Sequence, residues 1–150
     1  GLDGPPAVNA VVLGVAPDRL RRHHRRHAVT VTVDGRTLSG RDGGPLCATT
    51  VVVASGQYLR GLDLVPRGHP GDGRIEVLVL ALAPGERTAM RRRLPTGAHV
   101  PHPRIVQASG RTVSVAWTGG ARPVEVDGLV RQPRSRVDLA VAPGAVRVLV

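Results

Sequence analysis

Polar and apolar residues alternate strictly through Ala28-Val-Thr-Val-Thr-Val-Asp-Gly-Arg-Thr-Leu38, and a period of two marks a strand with one buried face. Asp34-Gly35 in its middle is the pair that a type I′ turn demands, so the segment predicts a β-hairpin. Cys47 to Ala54 is instead a continuous apolar stretch, as expected of a strand buried on both faces, and Arg74 to Leu82 reads as a long central strand. Shorter strands are predicted at Val11–Val15, Arg104–Ala108, Thr112–Trp117, Arg122–Val126, Arg136–Val141 and Ala145–Val150. Tyr58 to Val65 continues in extended form after a turn at Ser55-Gly56. Helix signals occur twice. Ala16 to His27 has room for one or two turns from Asp18 but lacks an apolar face, and Gly85–Arg93 has Pro84 at its first turn and a stop at Pro95. Gly1 to Pro6 reads as a disordered start, and Arg67 to Gly73 as a tight loop. The pattern predicts one mostly-β domain over residues 1–150. Its form is an antiparallel two-layer β-sandwich or distorted barrel with one or two short helices.

Composition agrees with this picture and narrows the partners. With 150 residues the chain is long enough to bury a core, and its 19 Gly and 13 Pro punctuate Val-rich segments. The aromatic residues are Tyr58 and Trp117 alone, which argues against base-stacking surfaces for single-stranded nucleic acid. A formal charge of +10 points to an anionic partner, but all 21 basic residues are Arg, a bias that fits a GC-rich bacterial genome. The lone Cys47 excludes an internal disulfide, and its place beside an apolar run reads as a small buried side chain. No leader-like start or apolar run of about 18 residues occurs, which sets the expectation of a cytoplasmic protein. The densest charge, Arg19, Arg21, Arg22, Arg25 and Arg26, suits an anionic membrane surface, nucleic acid or plain solvent. Contact with membrane phosphates through Arg21, Arg22, Arg25 and Arg26 would make the protein peripheral to the membrane. Nucleic acid is disfavoured by the lack of aromatics and of a recognition helix.

Phosphoryl transfer requires a phosphate cradle and an acidic residue for Mg²⁺ or the nucleophile. No Walker sequence is present, and Arg41-Asp-Gly-Gly-Pro45 reads as a turn. His23 and His27, and His99 and His102, have metal-like spacings, yet neither pair has a nearby Cys or acid as third ligand.

Several segments in fixed order nevertheless carry a resemblance. They are Val51-Val-Val-Ala-Ser-Gly-Gln-Tyr58, Pro70-Gly-Asp-Gly-Arg-Ile75, Leu94-Pro-Thr-Gly-Ala-His99, Val126-Asp-Gly128 and Pro143-Gly-Ala-Val-Arg-Val-Leu149. Together they resemble the carboxy-terminal, lipid-binding domain of the bacterial diacylglycerol kinase and sphingosine kinase-like lipid kinases. The resemblance implies a β-sandwich that holds a lipid or other amphipathic substrate. It also implies that the amino-terminal domain, which binds ATP and Mg²⁺ through a Gly-Gly-Asp-Gly-Thr loop in this family, is absent here. The chain alone is then expected to hold no cofactor; ATP and Mg²⁺ would come with a partner nucleotide-binding domain.

The same resemblance singles out Asp127 as a catalytic residue, His99 and Tyr58 as substrate-binding residues and Asp72 as a cation ligand. Two departures weaken the chemistry. Leu129 stands where the family has the acid of Asp-Gly-Glu, and Leu cannot coordinate Mg²⁺; Gly71 replaces the acid before Asp72. Asp127-Gly128 also reads as an ordinary hairpin turn. The expected function is therefore a lipid-kinase-like domain active only with a separate nucleotide-binding domain. The alternative is a degenerate, non-enzymatic module for ligand binding or assembly.

Overall fold

The computed structural model describes residues 6–7, 9–56, 58–59, 61–66, 73–142 and 145–149. Asp72, most of the Arg67–Gly73 loop, the first five residues and the Tyr58 side chain lie outside what is described. In chain order the strands are β1 Pro6–Ala7, β2 Ala10–Gly14, β3 His27–Val33, β4 Arg36–Thr37, β5 Leu46–Ala48, β6 Thr50–Ala54, β7 Tyr58–Leu59 and β8 Leu62–Asp63. They continue as β9 Ile75–Leu80, β10 Ile105–Gly110, β11 Thr112–Trp117, β12 Arg122–Val126, β13 Leu129–Arg134, β14 Arg136–Ala142 and β15 Ala145–Leu149. Helix α1, Arg87–Arg93, is extended at both ends by 3₁₀ turns, Pro84–Glu86 and Leu94–Thr96.

Two antiparallel sheets face each other. One has the order β1-β15-β14-β11-β3-β4, with β5 also on β3; the other has the order β10-β9-β6-β2-β12-β13. No described edge strand of one sheet pairs with the other, so the architecture is a sandwich and not a closed barrel.

The second sheet is central. Val11, Leu13, Val51, Val53, Val77 and Val79 pack against Val29, Val31, Val33, Val113, Val115 and Leu139 of the first sheet. The alternate residues Ala10, Val12, Val52, Ala54, Leu78 and Leu80 pack on the other side, against Leu20, Leu82, Met90 and Leu94 of the helical layer. Both faces of β6, and of β9 from Val77 to Leu80, are thus dry, which is why Val51–Ala54 and Val77–Leu80 run apolar without a break. In β3 only Val29, Val31 and Val33 point inward, which gives the alternation.

Other local expectations are redrawn. The predicted strand Cys47–Ala54 breaks at Thr49, so that β5 joins one sheet and β6 the other. Gly14 makes the crossing possible: its φ is +85°, and a Cβ there would collide with the Thr49 carbonyl. Cys47, expected to be buried, is exposed, because Leu46 and Ala48 take the inward positions of β5. Tyr58–Val65 is not one extended run, for it folds back at Gly61 (φ +77°) into the β7–β8 hairpin. The helical segment continues past Pro95, which sits in the final 3₁₀ turn. Strand β13 has no counterpart in the sequence reading: all six of its residues are exposed, and Pro133 lies within it.

Candidate functional site

The sandwich is open along β10. Leu38, Val106 and Ala108 are partly buried apolar residues packed on the core cluster, and they floor two solvent-open cavities that share Val106. One, of about 450 Å³, is lined by Arg26, Arg41, Leu46, Cys47, Arg104 and Val106 among others. The other, of about 550 Å³, includes Val33, Arg36, Leu38, Arg74, Val106 and Ala108. The result is an apolar strip rimmed by guanidinium groups, with Asp34 and Asp42 as the acids on its walls. Asp42 Oδ1 accepts the Gly44 N–H at 2.9 Å, fixing its own turn. Arg74 donates to Ser109 Oγ and to the Ser109 carbonyl, both at 2.9 Å, which anchors it along β10.

Asp127 lies at the opposite edge of the central sheet, in the turn between β12 and β13, with φ +50° followed by Gly128 at +83°. Its Oδ1 accepts the backbone N–H groups of Asn9 at 3.0 Å and Ala10 at 2.8 Å, and its own N–H donates to the Ala10 carbonyl at 2.8 Å. That carboxylate ties β12 to the start of β2. Beyond it Leu129 and Val130 are 62% and 74% exposed, the large apolar residues that stand in solvent among the described residues.

His99 occupies the third layer, on the far side of the central sheet from the first sheet. It is buried, and its Nε2 is 2.9 Å from the Leu64 carbonyl oxygen. A carbonyl only accepts, so Nε2 carries the proton and Nδ1 is left bare. Nδ1 and Asp63 Oδ1 are both buried without a hydrogen-bond partner. Burial lowers the His99 pKa, against the Leu64 hydrogen bond and the charge of Asp63.

The Arg21–Arg26 loop lies beyond the other end of the central sheet, where β2 and β9 terminate. Arg26 reaches the groove and donates to the Ala81 carbonyl at 3.4 Å. The structure therefore brings Arg26 to the groove but leaves Asp127 and His99 in two other places, while Asp72 and the Tyr58 side chain lie outside what is described.

Sequence reasoning missed the groove itself, and it missed Arg87, a buried residue beneath the basic loop. Its signal was available, since Arg87, Met90 and Leu94 fall on one helical stripe and all are buried. Among the described residues no group of three or more His, Cys, Asp or Glu is placed to hold a metal ion. No helix among them is long and apolar enough to cross a membrane.

Comparison with known proteins fits this geometry. Solved structures from Bacillus anthracis str. Sterne share the fold. One, described as a "putative diacylglycerol kinase", superposes with a TM-score of 0.67 at 14% identity, covering 95% of this chain and 50% of that one. Another, described as a diacylglycerol kinase, gives 0.64 at 15% identity over 93% and 48%. The chain thus spans about half the length of these relatives. No curated protein is significantly similar in sequence. Residues 14–150 match the model of the YegS C-terminal NAD kinase beta sandwich-like domain, and with nearly the whole chain inside that match, the protein belongs to this family.

Proposed function

We propose that the chain is the ligand-holding half of a diacylglycerol-kinase-like protein. It binds a lipid or other amphipathic substrate in the groove beside β10, and contributes to ATP-dependent phosphorylation only together with a separate nucleotide-binding domain. The observation that carries this reading is the apolar strip of Leu38, Leu46, Val106 and Ala108 under a rim of arginines. Such a surface accepts an acyl chain along its floor and a polar head at its edge. In the reaction the lipid hydroxyl attacks the γ-phosphoryl group of ATP, and the bond to the ADP oxygen breaks. The phosphate cradle and Mg²⁺ would come from the other domain. This chain's own residues bind and orient the lipid.

The test is retention of a fluorescent diacylglycerol by the full chain. Wild type retains it, and Val106→Glu, which places a charge on the groove floor, lowers retention by at least about tenfold. Absence of retention by wild type, or retention untouched by the substitution, overturns the reading. ATP-dependent phosphorylation by the chain alone would contradict the need for a second domain.

A second reading, a non-enzymatic ligand-binding or assembly module, is favoured by one observation. Where the resemblance calls for an acid beyond Asp127-Gly128, the structure has the exposed Leu129. Lipid retention without turnover, even when a nucleotide-binding half is supplied, would select it.

A further inference from the structure

The basic loop is shaped from beneath by another arginine. Arg87, 1% exposed, donates from Nη1 to the carbonyls of Arg21 and His24 at 2.7 Å and Arg22 at 3.4 Å, and from Nη2 to Leu82 at 3.2 Å. Arg91 donates to the Leu20 carbonyl from the next turn of α1. With the carbonyls of residues 20, 21, 22 and 24 drawn inward, the side chains are turned out, and Arg21, Arg22, His23, Arg25 and Arg26 are all exposed. Arg21 Nη1 lies against the Asp18 and Leu20 carbonyls.

Among the described residues no carboxylate balances this cluster. Of the acids on neighbouring elements, Glu86 meets His102 and Arg104, Glu125 meets Arg19, and Asp42 accepts the Gly44 N–H. No ion pair among the described residues forms to Arg21, Arg22, Arg25 or Arg26. Burial, and after it the charges of Arg26 and Arg22, lower the pKa of the Arg87 guanidinium. A buried cation matched only by carbonyl dipoles adds its field to that of the cations above it.

We propose that the Arg21–Arg26 loop is a docking surface for an anionic phospholipid membrane. Arg21, Arg22 and Arg25 are exposed and line neither of the two cavities, an arrangement that suits many dispersed phosphates. Trp117 is buried, so it offers no ring for stacking bases. Arg26 belongs both to the loop and to the apolar groove; docking therefore sets the groove mouth against headgroups and acyl chains together. That last step rests on the reading of the groove as a lipid site.

The experiment is sedimentation of the full chain with vesicles of phosphatidylcholine alone or with phosphatidylglycerol added, at low and moderate salt. Binding is expected only with the anionic lipid and weakens as salt rises. Combined Arg21→Glu, Arg22→Glu and Arg25→Glu, which spares Arg26 at the groove, lowers it at least about 100-fold, whereas Arg131→Glu with Arg134→Glu, on β13, leaves it unchanged. Thermal unfolding confirms that both variants fold. Binding indifferent to lipid charge, equal loss in both variants, or tighter binding to duplex DNA at the same salt overturns the proposal. Val106→Glu separates the two readings: it removes fluorescent-lipid retention while vesicle sedimentation persists. Loss of vesicle binding in the loop variant with retention intact is the converse expectation, and groove failure alone leaves the docking surface standing.

Discussion

Two Asp-Gly turns in this molecule are built alike. Asp34-Gly35 joins β3 to β4 in the first sheet, with φ values of +49° and +79°; Asp127-Gly128 joins β12 to β13 in the second, with +50° and +83°. Asp34 Oδ1 accepts the N–H groups of Arg111 and Thr112, both at 2.9 Å, as Asp127 Oδ1 accepts those of Asn9 and Ala10. Each aspartate also donates its own N–H to the strand it grips, Asp34 to Thr112 and Asp127 to Ala10. Only Asp127 coincides with a motif suggestive of catalysis. Its geometry is nonetheless that of its counterpart, so the position of the carboxylate is accounted for by a structural role. The two turns differ in where they deliver the chain: Arg36 and Thr37 lead onto the groove, Leu129 and Val130 into open solvent.

The largest effect is expected at Asp127. Replacement by Ala removes two charge-assisted hydrogen bonds and places a less tolerant residue at positive φ, at a cost of about 2 kcal/mol. Asp127→Asn keeps an acceptor and tolerates the left-handed conformation, so its cost stays below about 1 kcal/mol. Urea unfolding measures both, and equal losses in the two variants would break the parallel between the turns. Next come Gly35→Ala and Gly128→Ala, each about 1 kcal/mol from the strained backbone. At Gly35 a Cβ meets nothing within 4 Å, so conformation alone sets the loss, and a clear inequality between the two glycines would show that the turns are not equivalent.

Acid titration gives a subtler contrast. The backbone N–H groups of Thr112 and then Arg111 hold the Asp34 carboxyl below its ordinary value of 3.8. Its ionised form is therefore favoured by folding, and the contribution is complete above 3.8 and disappears as pH falls through the lower folded value. Unfolding midpoints between pH 5 and 2 should decline less steeply in Asp34→Asn than in wild type; parallel curves would count against the bond network. The smallest effect belongs to Leu129→Glu. It restores an acid at an exposed position and should shift stability by no more than about 0.5 kcal/mol, leaving the variant fit for a kinase assay with an added nucleotide-binding half.

The parts of the fold that were legible in the sequence are those decided by side chains facing the core. The continuous run Cys47–Ala54 told of two buried faces, Arg74–Leu82 read as a long central strand, alternation at Val29–Val33 told of one buried face, and both Asp-Gly pairs announced their turns. Strand β13 left no such trace, because it buries nothing and contains Pro133. The break at Thr49 depends on Gly14, a residue 35 positions away in sequence, whose missing Cβ admits the Thr49 carbonyl. The groove was equally hidden, since Leu38, Leu46 and Val106 come from separate elements of both sheets. Arg87 was masked by residue type: a cation on an apolar stripe reads as a boundary of the core until the carbonyls it collects are seen.

Strand β13 carries a consequence for how copies of this chain meet one another. It is an open sheet edge whose first residues are Leu129 and Val130, a combination that invites strand-to-strand association. Pro133, however, offers no N–H to an incoming strand, and Arg131 and Arg134 bring like charges together wherever two such edges align. The edge is thereby self-limiting: its first residues are sticky, its end repels, and growth into stacked aggregates is checked within the length of a single strand.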